Sequence, residues 1–110
     1  LVGLVDGRPA GCLTFAADHT NPHAEHDDPD AACIRFFGID PVAQGRGLGD
    51  AMVRWCIDRA GGVGRSRVRL HTLTMMLAAQ RLYERLGFLR DPEQDEDWDG
   101  VVGWAYRLDL

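Results

Sequence analysis

The hexapeptide Gln44-Gly45-Arg46-Gly47-Leu48-Gly49 stands between an apolar run, Ala32 to Ile39, and a segment with helical spacing that begins at Leu48. Three glycines in six residues let the backbone turn sharply with its N–H groups converging. The first turn of the helix that follows adds unpaired amide donors and a partial positive charge. Together they form a cradle for an anion, each contact contributing about 0.3–2 kcal/mol. The loop lacks the Lys-Ser/Thr pair of a nucleotide-phosphate loop, because Asp50 and Ala51 follow Gly49. It also fails as a dinucleotide fingerprint: Asp50 stands where a third glycine belongs, and Leu70-His71 stands where a strand-ending acid belongs. A tight strand-to-helix turn that binds nothing is the simpler alternative.

Outward from this loop the pattern resolves into strands and helices. Leu1 to Val5 and Cys12 to Phe15 flank Asp6-Gly7, a pair suited to a tight hairpin turn. Asp18 to Asp30 is polar, broken by Asn21-Pro22 and Asp28-Pro29, and reads as a loop. Ala32 to Ile39 is a third strand in which Gly38 marks a bulge or a close backbone approach. From Leu48, the positions Met52, Trp55, Cys56 and Ala60 recur at helical spacing, and Gly61-Gly62 is the expected stop. Arg67 to Leu73 alternates, with Val68, Leu70 and Thr72 on one face. Thr74 is the expected cap of a second helix whose buried face carries Met76, Ala79, Leu82, Tyr83 and Leu86, with Gly87 and Phe88 closing it. Phe88 to Arg90 and Val101 to Leu108 flank an acidic loop as the last strands. The predicted order is ββ–β–α–β–α–ββ.

The loop Gln44-x-x-Gly47-x-Gly49, followed some thirty residues on by Ala79-x-x-Leu82-Tyr83-x-x-x-Gly87-Phe88, resembles the GNAT superfamily of N-acetyltransferases. The resemblance implies an α/β (α+β) fold with a mixed, mostly antiparallel sheet, crossed by two helices and splayed where the coenzyme binds. It implies transfer of an acetyl group from acetyl-CoA to an amine by direct attack on the thioester, with no metal. Phe37, Gly38 and Ile39 would run beside the pantetheine arm, the backbone of Phe37 and Ile39 pairing with it as an added strand would. Gln44, Gly45, Arg46, Gly47, Leu48 and Gly49 would hold the pyrophosphate, Arg46 adding the loop's one full positive charge. Tyr83 matches the position from which a phenol protonates the departing thiolate, a species of comparable basicity. Two departures stand out: Met76 occupies a place where the family often has Asn, and Asp50 would repel a pyrophosphate if its carboxylate faced it; it is expected to point away and serve the helix N-terminus as a favourable acid. No Glu or His stands in a family position that would clearly serve as the base. The resemblance runs from the family's second strand to its last. Residues 1–110 therefore read as one domain lacking the family's first strand and two helices, in keeping with a start at Leu1 in mid-strand pattern. Two rival readings are a module that binds acyl-CoA without turnover, and a phosphate site for another nucleotide.

Composition narrows the field. At 110 residues and 12.2 kDa the chain is the size of one domain with one core. No apolar run approaches the roughly 20 residues of a membrane span, and no basic-then-apolar leader opens the sequence. A net charge of −5 argues against nucleic acid as a partner. All 12 basic residues are arginine, a bias expected of a GC-rich bacterial genome. Cys12, Cys33 and Cys56 follow no metal or disulfide spacing; they read as small buried side chains in a reducing cytoplasm. Eleven of the 17 acids fall in two loops, Asp18 to Asp30 and Asp91 to Asp99, leaving six against twelve arginines elsewhere. That division suggests a basic body for an anionic cofactor and an acidic rim for a cationic amine, a small molecule or peptide. Solubility alone would equally explain the acidic loops. His19, His23 and His26 lack a shared helical face and read as surface residues, not metal ligands. Trp98, Trp104 and Tyr106 read as packing of the last strands, with an acceptor pocket as the alternative. A homodimer is compatible with all of this.

Overall fold

Asp6 and Gly7 both take positive φ, 52° and 77°, and turn β1 (Val2–Val5) into β2 (Arg8–Ala16). Two left-handed residues match the twist of the flanking strands, which is why an Asp-Gly pair serves there. The computed structural model describes every residue except His23 and Glu25, and the side chain of Phe36 also lies outside that description. β2 is longer than its apolar run. It admits Pro9, which lacks an N–H, where the pairing with β1 shifts register between Gly3 and Leu4.

β3 (Ala31–Ile39) lies antiparallel to β2, and β4 (Arg67–Leu73) lies parallel to β3. α1 (Leu48–Gly62) makes the crossover between them, and α2 (Leu77–Arg85) follows β4. β5 (Leu89–Arg90), β6 (Glu96–Trp98) and β7 (Val101–Asp109) complete one sheet in the order β1-β2-β3-β4-β7-β5, with β6 also paired to β7. This is the mixed, mostly antiparallel sheet with two helices that the resemblance implies. No helix among the described residues is long and apolar enough to cross a membrane.

One sheet face carries the core. Met52, Val53, Cys56 and Ala60 of α1 pack with Leu82 and Tyr83 of α2 over Ile34, Val68, Leu70 and Tyr106. The expected alternation of Val68, Leu70 and Thr72 holds, all three being buried. Trp55 departs from the expected helix face: it is 45% exposed and meets Phe15 edge-on at 5.9 Å, while Val53 is fully buried. Met76 is exposed as well. Of the cysteines, Cys33 and Cys56 are buried but Cys12 is exposed. Burial pushes the Cys56 thiol up to about 12, so it stays protonated.

Both helices end in the same way, but α1 not where expected. Gly61 and Gly62 remain helical, and the left-handed residue is Gly64 at φ 84°. Arg65 N–H donates to the Ala60 carbonyl at 2.9 Å and Gly64 N–H to Gly61 at 3.1 Å. α2 repeats this around Gly87, with Phe88 N–H donating to Tyr83 at 2.9 Å and Gly87 N–H to Glu84 at 3.1 Å. Each pair satisfies carbonyls that a helix end would otherwise leave open. α2 begins later than Thr74: its N-cap is Met76, whose side chain caps nothing.

The opposite sheet face is charged, and the acidic loops are bound to it. Arg67 bridges Asp28 (2.8 Å) and Asp109 (2.6 Å), and Arg69 bridges Asp28 (3.0 Å) and Asp91 (2.8 Å). At the β5 edge, on the face of Tyr106 and Trp104, Arg90 takes both oxygens of Asp95 at 2.8 Å, and Ala105 N–H donates to the same carboxylate at 2.7 Å. The division into basic body and acidic rim is therefore corrected at Asp28, Asp91 and Asp95, which neutralise the arginines beside them. The second loop also contains β6, a strand not foreseen in the sequence, turned into β7 by Asp99 (φ 55°) and Gly100 (φ 88°).

Burial by itself would raise the Asp28 carboxyl, yet the Asp30 amide and the Arg67 and Arg69 guanidiniums bring it down to about 2. The Arg90 guanidinium, against the opposing effect of burial, and the Ala105 amide bring Asp95 to about 2. Both values lie below the unfolded carboxyl near 3.9, so the stabilisation is whole above about pH 4 and is lost as pH falls toward 2. Thermal melts across pH 7 to 2 should show their steepest fall below pH 4. Asp28→Asn should cost about 1–3 kcal/mol at pH 7 and make that fall shallower.

Candidate functional site

β3 and β4 remain paired from Ala31–Arg67 to Ile34–Leu70, and there they part. Beyond that point β3 stays with β2, through Cys12–Gly38 and Gly11–Ile39, while β4 stays with β7. A register shift between Cys12 and Thr14 sets residues 36 and 37 of β3 opposite Leu13 alone, a bulge just before Gly38. The β4-facing edge of β3 past Ile34 is thereby released from the ladder, and a wedge opens inside the sheet.

The glycine loop closes one side of the wedge. Asp40 accepts a hydrogen bond from Val42 N–H at 3.0 Å and starts a 3-10 turn over Pro41–Ala43. Gly45 and Gly47 take φ of 82° and 81°, and a Cβ on either would meet nothing within 4 Å. Gly47 is the N-cap of α1, without a side-chain cap, so the first-turn amides keep their donors available. At Gly49 the requirement is closeness: a Cβ would stand 3.3 Å from both Leu82 and Phe37. Its absence brings the first turn of α1 up against α2 and β3.

The facing wall is the β4–α2 connection. Gln80, 7% exposed, donates its side-chain amide to the carbonyls of Leu73 (3.0 Å) and Thr74 (3.2 Å), fastening this connection to α2. Met75, Met76 and Leu77 form an exposed apolar lip. Between the walls lies a cleft of about 870 Å³, a size suited to a small molecule or coenzyme arm.

Phe37, Gly38, Ile39, Gln44, Gly45, Gly47, Leu48 and Gly49 all line this cleft. Gln44 also donates to the Ile39 carbonyl at 3.4 Å, so its side chain ties the loop to β3. Arg46 is not in the lining; its guanidinium lies 4.0 Å from Asp6. Nor does Tyr83 line the cleft. Its ring is 4% exposed, within 6.3 Å of Phe37, 5.7 Å of Phe88 and 6.1 Å of Tyr106 by ring centroids. Burial, aided by the nearby Cys56 thiol, holds the phenol well above its ordinary value and so protonated at neutral pH. Asp50, expected to point away, instead lines the cleft, because its carboxylate pairs with Arg85 in the same lining. Arg85 and Gln80 are the residues sequence reading missed, since both look like ordinary positions of α2. Trp104 and Tyr106 pack as strand residues, with Arg90 stacked 4.7 Å over Trp104 and 5.6 Å over Tyr106. Trp98 lies edge-on to His71 at 5.6 Å.

A wedge between parallel strands, an uncapped helix start behind glycines and a helix opposite define the fold class of acyl-CoA N-acyltransferases. Residues 1–88 match the Acetyltransferase (GNAT) family, and the chain belongs to it. A mycothiol acetyltransferase of Gordonia bronchialis is 35% identical over 96 residues, covering 81% of this chain and 31% of the relative. An uncharacterized N-acetyltransferase of Methanocaldococcus jannaschii is 32% identical over 100 residues, covering 91% and 40%. The chain thus spans about a third of the length of the first of these relatives. Among solved structures, an IAA acetyltransferase from Bacillus cereus superposes with a TM-score of 0.78 at 19% identity, over 99% of this chain and 75% of that one. An acetyltransferase from Salmonella typhimurium, solved with acetyl-CoA, gives 0.76 at 21% identity, over 99% and 62%.

The uncapped start of α2 has a measurable consequence. Met76→Asn places an N-cap acceptor where the helix has none and should raise stability by about 0.5–2 kcal/mol, read as a higher melting temperature. An unchanged or lower melting temperature would show that the first turn needs no cap.

Proposed function

We propose that this chain carries the coenzyme site of an N-acetyltransferase and moves an acetyl group from acetyl-CoA to an amine. The observation that carries the reading is the uncapped first turn of α1, opening behind Gly45 and Gly47 onto the cleft. Amide donors at a helix start suit a diphosphate, and the open space at both glycines lets one come close to the backbone. The released edge of β3 suits an extended amide-bearing arm, taken up by Phe37 and Ile39 as a further strand. Acetyl-CoA brings an activated acyl group, a thioester that an amine lone pair attacks directly. What the chain contributes is chiefly orientation of that group.

Tyr83 is the proposed acid for the leaving thiolate. Its burial keeps the phenol protonated, the form an acid needs. Asp50 is the one carboxylate among the described lining residues and is tied to Arg85; the acceptor is deprotonated by solvent or a relay before attack. Small-molecule and peptide amines, including cationic ones, are the acceptor classes. No disulfide joins the three cysteines, which suits a cytoplasmic setting. The position of Tyr83 behind the cleft wall favours one rival reading, a module that binds acyl-CoA without turnover.

Calorimetry with acetyl-CoA, paired with thiol release over a panel of amines, separates the two. Binding with turnover is expected, and Tyr83→Phe should lower kcat by about 10²-fold or more while leaving acetyl-CoA affinity within about twofold. Binding without turnover would establish the module instead, and an unaltered kcat in Tyr83→Phe would remove the acid.

A further inference from the structure

Two of the described residues lining the cleft form an ion pair. Arg85, in the last turn of α2, donates from Nη2 to Oδ1 of Asp50, in the first turn of α1, at 2.5 Å. Both residues line the cleft, and Arg85 is the one cation among the described lining residues. Arg46, the arginine of the glycine loop, lies against Asp6 outside that lining. Asp50 meanwhile sets a carboxylate in the helix turn whose amides would meet a diphosphate, a position a helix start favours for any anion.

Resting on the coenzyme reading above, we infer that Arg85 is a phosphate-binding residue and that Asp50 is an internal anion competing for it. In the free protein Asp50 neutralises Arg85. When the coenzyme binds, the guanidinium exchanges the carboxylate for a phosphate, and Asp50 turns to solvent. The pair is suited to exchange. Its side chains are 58% and 31% exposed, for Arg85 and Asp50 respectively, and an ion pair that open to water is weak. A guanidinium on a phosphate makes a forked, charge-assisted contact that is stronger than the one given up. A clasp that merely held the two helices together would have the opposite signature, because losing either partner would then loosen the cleft equally.

Calorimetric titration with coenzyme A at fixed low salt distinguishes the two arrangements. Arg85→Gln should weaken binding about five- to tenfold, Arg85→Lys should restore much of it, and Asp50→Asn should tighten binding by about threefold. The opposite signs are the signature. Repeating the titrations with 3′-dephospho-coenzyme A identifies the phosphate: a loss that disappears assigns Arg85 to the 3′-phosphate, and one that persists assigns it to the diphosphate. Asp50→Asn and Arg85→Gln shifting affinity in the same direction, or neither shifting it beyond twofold, would overturn the exchange while leaving the coenzyme reading intact. Failure of the unsubstituted chain to bind coenzyme A would overturn both.

Discussion

Four residue pairs hold β3 to β4, and their separation after Ile34–Leu70 is the constraint on which the site depends. Backbone N–H and C=O groups inside a protein need partners, and a parted pair of strands leaves one row of them open in the middle of the sheet. The bulge opposite Leu13 lets β3 follow β2 away from β4 without losing its outer ladder. The glycine at position 49 then lets α1 press its first turn between Phe37 and Leu82, so the opening narrows to a cleft. The proposed chemistry follows from this wedge.

The two sheet faces divide the labour. Over the helices, apolar side chains from both α1 and α2 meet on β3, β4 and β7 and bury Tyr83 and Tyr106 among them. On the far face, arginines of β4 and β7 alternate with carboxylates from the loops, and each loop is held by charge-assisted hydrogen bonds. The acids of the loops thus serve first as fasteners of the sheet. Their depressed ionisation records that role.

Much of the fold was readable because local signals carry it. Asp6-Gly7, the alternation of Val68, Leu70 and Thr72, and the Gly87-Phe88 closure each depend on neighbours a few residues away. Asp99-Gly100 carries the same turn signal as Asp6-Gly7, but three residues of acidic β6 lack the apolar alternation that marks a strand. The stop of α1 was misplaced because two adjacent glycines look like a terminator, while the end is set by which residue takes positive φ, Gly64. Trp55 and Met76 keep helical spacing yet stay exposed, since spacing gives a face and not what covers it. The loop residues of the site were legible from Gln44 to Gly49, whereas the contacts of Arg85 and Gln80 depend on tertiary approach across many residues. Tyr83 could be placed on its helix from the sequence, but its depth behind Phe37 and Leu82 could not.

The most direct measurement is an amide NMR titration of the chain with coenzyme A, run beside one with pantetheine, which has the arm but no diphosphate. The account predicts that coenzyme A shifts the amides of Gly45, Gly47, Leu48 and Gly49 strongly, and that pantetheine leaves them almost unmoved while shifting Phe37 and Ile39. Saturating coenzyme A that leaves the amides of this turn where they were would contradict it.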